Sequence, residues 1–175
     1  MPHQNHLIDK SKMVWACSLF TDEEITLFAK GKLFYGHEKF GSHFINIQNT
    51  TGFYFALWAP NATAVSVIGE FNGWKKNLHP LYVRLDKSGI WEGFIPRFQE
   101  GALYKYHITA TTGEEFFKAD PYAVFSEKLP GTASVTKQIN FNWLDEEWMA
   151  KRKENNSLSA PWSIYEVHLG SWMRP

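Results

Sequence analysis

The sequence lacks most of the features that would announce a function. One cysteine, Cys17, stands in 175 residues, so no internal disulfide can form and nothing demands an oxidising compartment. Charge of one sign is not in surplus either, because 18 basic side chains meet 18 acidic ones. Nucleic acids and anionic membranes require clustered positive charge, and neither is expected as a partner. No apolar run approaches the roughly 18 residues of a membrane span, and the N-terminus lacks a basic-then-apolar signal pattern. No Cys/His spacing suits zinc, no glycine-rich loop precedes a helix to cradle phosphate, and no serine sits in a nucleophile elbow. The expectation is a cytoplasmic chain with no metal and no cofactor.

Aromatic residues, in contrast, are plentiful. Eight Trp, seven Tyr and fourteen Phe make up 17% of the chain, and 44% of all residues are hydrophobic. That supports a cored fold rather than a disordered chain. Most of these rings belong in the core, and a few are free to act as exposed platforms.

Short strands are expected at regular spacing from Phe53 onward. The candidates are 53–58, 64–69, 81–85, 89–96, 103–109, 115–118 and 133–136, joined by turns such as Asp86-Lys87-Ser88-Gly89. Seven strands in so short a stretch predict a β-sandwich. No Cys…Trp…Cys pattern is present, so the sandwich is immunoglobulin-like in architecture only. Before it, Thr21 and Glu24 form a capping box that opens a short helix ending near Gly31. After it, Asp145 to Lys153 reads as a second helix, with acids first and bases last. Asn155 to Pro161 is a linker, and Ser163 to Leu169 a final strand. The organisation is an N-terminal helical segment over 1–50, the sandwich over 51–140, a helix and linker over 141–162, and a last piece over 163–175. The first residues, with His3 and His6, are expected to fray.

Few residues invite chemistry. Glu23/Glu24, Glu114/Glu115 and Glu146/Glu147 are adjacent acids better explained as caps or solvated faces than as a catalytic pair. Glu166 and His168 share one face of the last strand and read either as cavity lining or as an ordinary buried pair. Trp74 differs, because it follows Asn72-Gly73 on a loop, where a ring face can stay open. Lys105 lies on the strand Leu103-Tyr104-Lys105-Tyr106-His107. An indole for the flat apolar face of a sugar and a cation for its hydroxyls would make a small carbohydrate platform.

Seven motifs then occur in one order: Phe55-Ala56-Leu57-Trp58-Ala59-Pro60-Asn61-Ala62, Gly69-Glu70-Phe71-Asn72-Gly73-Trp74, Gly89-Ile90-Trp91-Glu92-Gly93-Phe94, Gly101-Ala102-Leu103-Tyr104-Lys105-Tyr106, Lys118-Ala119-Asp120-Pro121-Tyr122-Ala123, Pro130-Gly131-Thr132-Ala133-Ser134 and Tyr165-Glu166-Val167-His168-Leu169-Gly170-Ser171-Trp172. Together they resemble the N-terminal part of bacterial 1,4-alpha-glucan (glycogen) branching enzymes, of the alpha-amylase superfamily. The resemblance implies a mainly all-β chain: an immunoglobulin-like β-sandwich with short flanking helices, followed by the first strand of a truncated (β/α)8 barrel. It implies a fragment of an enzyme that cuts alpha-1,4-glucan by a retaining route and passes the chain to a 6-hydroxyl. An Asp and a Glu with carboxyl groups ~5–5.5 Å apart would do this. Both lie past the end of this sequence, so no catalytic residue is assigned and no branching activity is expected. The remaining barrel would be a partner, and 163–175 is expected to be poorly anchored without it.

The resemblance also implies the sugar site. Trp74 and Lys105 match the glycogen-binding relatives of the module. Where those relatives carry a second Trp, Phe116 or its neighbour Phe117 stands here, and Phe116 is the assignment. Where they carry an Asn, Ser134 stands. The partner implied is alpha-1,4-glucan or glycogen, bound weakly. Two alternatives remain: a non-enzymatic alpha-glucan-binding module, and a structural spacer that binds no sugar.

Overall fold

A computed structural model describes residues 13–172. The expected frayed start with His3 and His6, and the last three residues of the 163–175 piece, lie outside the described residues.

The chain divides into two units, 1–138 and 139–175. The first unit holds two antiparallel sheets. One is built from β1 (Gly41–Ile47), β2 (Thr50–Trp58), β4 (Tyr82–Val83) and β5 (Ile90–Pro96), in the order β1-β2-β5-β4. The other is built from β3 (Ala62–Gly69), β6 (Leu103–Ala110) and β7 (Glu115–Lys118), with β8 (Ser134–Val135) paired to the start of β6. Between the sheets lie Phe53, Phe55, Leu57, Val65, Val67, Trp91, Tyr104 and Tyr106, all buried. Every second residue of a strand faces one side, and each such side chain contributes about 1.5–3 kcal/mol by leaving water. This is the predicted sandwich.

The first sheet has a second buried face. Tyr54, Ala56, Ile90 and Phe94 point away from the sandwich core and pack with Trp15, Phe20 and Phe40. The N-terminal segment covers them. Trp15 exchanges two backbone hydrogen bonds with Phe94, of 2.7 and 2.9 Å, and α1 (Asp22–Ala29) adds Ile25 and Phe28. Burial on both faces explains why β2 reads as a continuous apolar run. The predicted capping box forms, with the Glu24 N–H donating to Thr21 Oγ1 at 3.2 Å and the Thr21 N–H to Glu24 Oε2 at 2.8 Å.

Two boundaries differ from the sequence reading. The sandwich begins at Gly41 rather than 51, because β1 pairs with β2 along its whole length. The expected strand 81–85 shrinks to Tyr82–Val83, and Leu85 stays almost fully exposed.

The second unit, by itself, contains α2 (Glu146–Asn155) and a single helical turn, α3 (Leu169–Trp172). The acid-first order of α2 is present, and Glu147 pairs with Lys151 one turn on at 2.6 Å. The expected first barrel strand at Ser163 to Leu169 is absent. Residues 163–168 run as irregular chain and Leu169 begins the helical turn. A parallel strand exists only through neighbours that take its hydrogen bonds, and none of the described residues pairs with it. Trp162, Tyr165, Val167, Leu169 and Trp172 are exposed.

Candidate functional site

The loop after β3 is built to hold one ring outward. Asn72 is its anchor: Oδ1 accepts from the Gly69 N–H at 3.0 Å, and Nδ2 donates to the Val67 carbonyl at 3.1 Å and meets His79 Nδ1 at 3.0 Å. Burial lowers the pKa of the His79 imidazole from its usual value. Residues 70–72 make one tight helical turn, and Gly73 follows with φ +61°, a left-handed value that suits glycine. Trp74 is itself left-handed at φ +58° and donates its N–H to the Gly69 carbonyl at 2.8 Å. The chain reverses here, and 39% of Trp74 remains exposed.

Trp74 stands over the outer face of the second sheet. On β6, Tyr104 and Tyr106 face the core, so Lys105 and His107 face outward. Register then decides which β7 ring joins them. His107 opposes Phe117, whereas Ile108 opposes Phe116. Phe117, 50% exposed, therefore shares the face with Lys105, and its ring lies 5.2 Å from that of His107. A groove of about 500 Å³ runs between Ile68, Trp74, Lys105, Phe117 and the loop carrying Glu127 and Pro130–Ala133.

That loop is closed on itself. Glu127 donates its N–H to the Ala133 carbonyl at 2.9 Å, and its Oε2 accepts from the Ala133 N–H at 3.1 Å. A Cβ at Gly131 would displace the Glu127 side chain that lies against it. Thr132 Oγ1 receives a hydrogen bond from Lys105 Nζ at 2.7 Å. An ammonium has three donors, and this bond uses one of them.

The four site residues expected from sequence thus divide. Trp74 and Lys105 come together in the groove. Phe116 does not line it: its neighbour Phe117 does, because the β6–β7 register turns Phe116 to the opposite face, where Lys118 Nζ lies 5.7 Å from its ring. Ser134 is also displaced from the expected role. It is 1% exposed, and its Oγ accepts from the Asp120 N–H at 2.8 Å. Asp120 in turn accepts from the Tyr104 hydroxyl at 2.6 Å and the Tyr106 hydroxyl at 3.1 Å. Ser134 ties the turn at 120 to the core and cannot meet a ligand in the groove. Thr132, two residues earlier, faces the groove instead. Strand alternation could have placed Phe117, given the register of β7 against β6; Thr132 lies on the loop before β8, which alternation does not reach.

No group of three or more His, Cys, Asp or Glu among the described residues is placed to hold a metal ion. Glu166 and His168 form no pair, and His168 Nδ1 instead meets Ser171 Oγ at 2.8 Å. A second, smaller hollow, about 350 Å³, is lined by Phe71, His79, Arg97, Phe98 and Gln99 among others. The groove offers two open rings beside a cation, which suits flat, hydroxyl-rich ligands.

Residues 39–123 match the family model of carbohydrate-binding module 48, the isoamylase N-terminal domain. Among curated proteins, the chain is similar to the 1,4-alpha-glucan branching enzyme GlgB of Desulfitobacterium hafniense (strain Y51). The two are 46% identical over 166 residues, which is 94% of this chain and 26% of that enzyme. The branching enzyme of Paramagnetospirillum magneticum is 47% identical over 155 residues, 87% of this chain and 21% of its own. That of Trichormus variabilis is 44% identical over 154 residues, 87% and 20% respectively. The chain therefore spans about a quarter of the length of these relatives, or less. Among solved structures, a pullulanase from Bacillus acidopullulyticus aligns with 57% of this chain and 12% of its own, at 19% identity and a TM-score of 0.45.

Proposed function

We propose, from a chain whose residues 39–123 match the family model of carbohydrate-binding module 48 and that is similar over 94% of its length to the N-terminal part of a 1,4-alpha-glucan branching enzyme, that its sandwich binds alpha-1,4-glucan in the Trp74 groove. One observation carries the reading. Trp74, Lys105, Phe117 and Thr132, from four separate parts of the sequence, line one groove. The rings would take the apolar faces of glucose units, and Lys105 and Thr132 their hydroxyls. Each hydroxyl exchanges water for protein at a net gain of only ~0.5–1.5 kcal/mol. Two rings and one cation therefore imply a dissociation constant near the millimolar range, about −4 kcal/mol.

The same reading makes the chain the glucan-holding part of an enzyme that builds glycogen. That enzyme cleaves an alpha-1,4 link and transfers the chain to a 6-hydroxyl, with the rest of a catalytic barrel as partner. The reading ascribes no catalytic residue to this sequence. A cytoplasmic location belongs to the same proposal. Burial, aided by the nearby Glu92 charge, pushes the Cys17 thiol up to about 12, which leaves it unreactive as a free thiol.

Titration with a linear maltooligosaccharide, followed by amide and indole NMR shifts, tests the proposal. The Trp74 indole signal should move with saturation in the millimolar range, and Trp74→Ala should abolish binding without unfolding the sandwich. Equal binding by both proteins would rule out the groove. A collapse of the melting temperature in the variant would favour the spacer reading.

A further inference from the structure

We infer that Lys76 and Glu115 form a strap that fixes the Trp74 loop against β7, and that this strap makes affinity for an uncharged glucan depend on ionic strength. The inference rests on the groove reading above and adds a means of regulating that site.

The two rings of the groove stand on different elements. Trp74 belongs to the loop after β3 and Phe117 to β7. Nothing in sheet pairing joins the two, because β6 lies between β3 and β7. The loop is tied at its two ends by backbone hydrogen bonds, from the Trp74 N–H to the Gly69 carbonyl at 2.8 Å and from the Val67 N–H to the His79 carbonyl at 2.9 Å, and residues 75–77 lie between them. Trp74 and Asn77 are both left-handed without being glycine, at φ +58° and +63°. Asparagine adopts that conformation readily, whereas a bulky residue such as Trp74 holds it only when its surroundings enforce it. At the near end, the Asn72 anchor enforces it. At the far end, the Asn77 N–H reaches Ser66 Oγ at a long 3.3 Å.

Lys76 lies between these ends and reaches across β6 to β7. Its ammonium is in direct contact with Glu115 Oε2, and it sits 5.4 Å from the centre of the Phe117 ring. Glu115 Oε1 lies 3.3 Å from Nε2 of the buried His107, whose ring backs Phe117. One ion pair thus touches the loop of the first ring, the strand of the second ring and the residue behind that ring. Both partners are a little over 40% exposed. An isolated surface pair of that kind adds little to global stability and is screened by salt. Its leverage here is local, on the spacing of two rings that must meet one oligosaccharide together. An exposed pair couples its ends by about a two- to fivefold factor in an equilibrium.

The test uses the whole chain and maltoheptaose, a probe that carries no charge of its own. Kd is measured by NMR titration at low and high sodium chloride for wild type, Lys76→Met, Glu115→Gln, the double variant and Lys76→Arg. Lys76→Met and Glu115→Gln should each raise Kd two- to fivefold. The double variant should be no worse than the poorer single one, because each change removes the same tie. Lys76→Arg should restore Kd to within about twofold of wild type. High salt should weaken wild type about twofold and leave the double variant flat. Amide exchange measured without sugar should quicken at Lys75 and Asn77 in Glu115→Gln.

Additive losses in the double variant, or a wild-type Kd that ignores salt, would overturn the strap. So would variants that bind as well as wild type. Wild type that binds no maltoheptaose at all would remove the groove reading and the strap with it. The two failures are distinct, since the strap alone fails only when wild type binds.

Discussion

Phe117→Ala, paired with Phe116→Ala, separates the two faces of β7. Phe117 is half exposed and lines the groove, whereas Phe116 points to the other face. A pyranose face laid on a phenyl ring removes on the order of 50 Å² of ring from water, and at ~25 cal/mol per Å² that is about 1.2 kcal/mol. Kd should therefore rise roughly sevenfold in Phe117→Ala. The same truncation removes the His107–Phe117 ring contact, at 5.2 Å, and such contacts contribute about 0.5–1.5 kcal/mol. The sandwich should lose about that much and stay folded, because Phe117 lies outside the inter-sheet core. Phe116→Ala should leave Kd unchanged. Maltooligosaccharide titration gives the first quantity, and denaturant unfolding of both variants the second. If Phe116→Ala weakens binding as much as Phe117→Ala, the register argument fails. If neither does, β7 is no part of the site.

Two further outcomes concern the framework behind the groove. Ser134→Ala leaves the buried Asp120 N–H without its 2.8 Å acceptor, so unfolding in denaturant should show a loss of about 1–3 kcal/mol while glucan affinity is unchanged; a selective loss of affinity would return Ser134 to the site. Burial raises the Asp120 carboxyl above the usual aspartate range, against the lowering effect of the Tyr104 and Tyr106 hydroxyls and the Tyr122 N–H. The folded state therefore binds that proton more tightly than the unfolded one. Its stabilisation is full below the ordinary aspartate range and is lost as pH rises through the raised folded value. Carboxyl-carbon NMR should show Asp120 titrating above the ordinary aspartate range, and titration within or below that range would contradict the burial argument.

Much of this was legible because local chemistry and fold agree. The Thr21–Glu24 capping box works within one helical turn, so sequence suffices to see it. The strands 53–58, 64–69 and 103–109 carry β-branched and aromatic residues between clear turn signals, and all three form to within a few residues. The β1 strand Gly41–Ile47 escaped notice because both of its faces mix polar and apolar residues. Ile45 and Ile47 pack toward the N-terminal cover, while Phe44 meets Phe53 edge-on at 5.4 Å. A strand of that kind owes its existence to pairing with β2, which no local pattern reveals.

The site divides along the same line. Trp74 and Lys105 were readable because each is placed by its own segment, a loop turn anchored by Asn72 and the alternation of β6. Phe116 and Ser134 were misplaced because their orientation depends on which residue of β6 each opposes. A shift of one residue in register exchanges the faces. With Ile108 opposite Phe116 and Tyr104 opposite Ser134, both side chains turn away from Lys105, and Phe117 and Thr132 stand beside it instead. The 163–169 segment shows the limit of such reading. Its apolar, β-branched sequence fits a barrel strand, yet strand character belongs to the pairing and not to the segment. Without a neighbour among the described residues, the same sequence runs irregularly and ends in a helical turn.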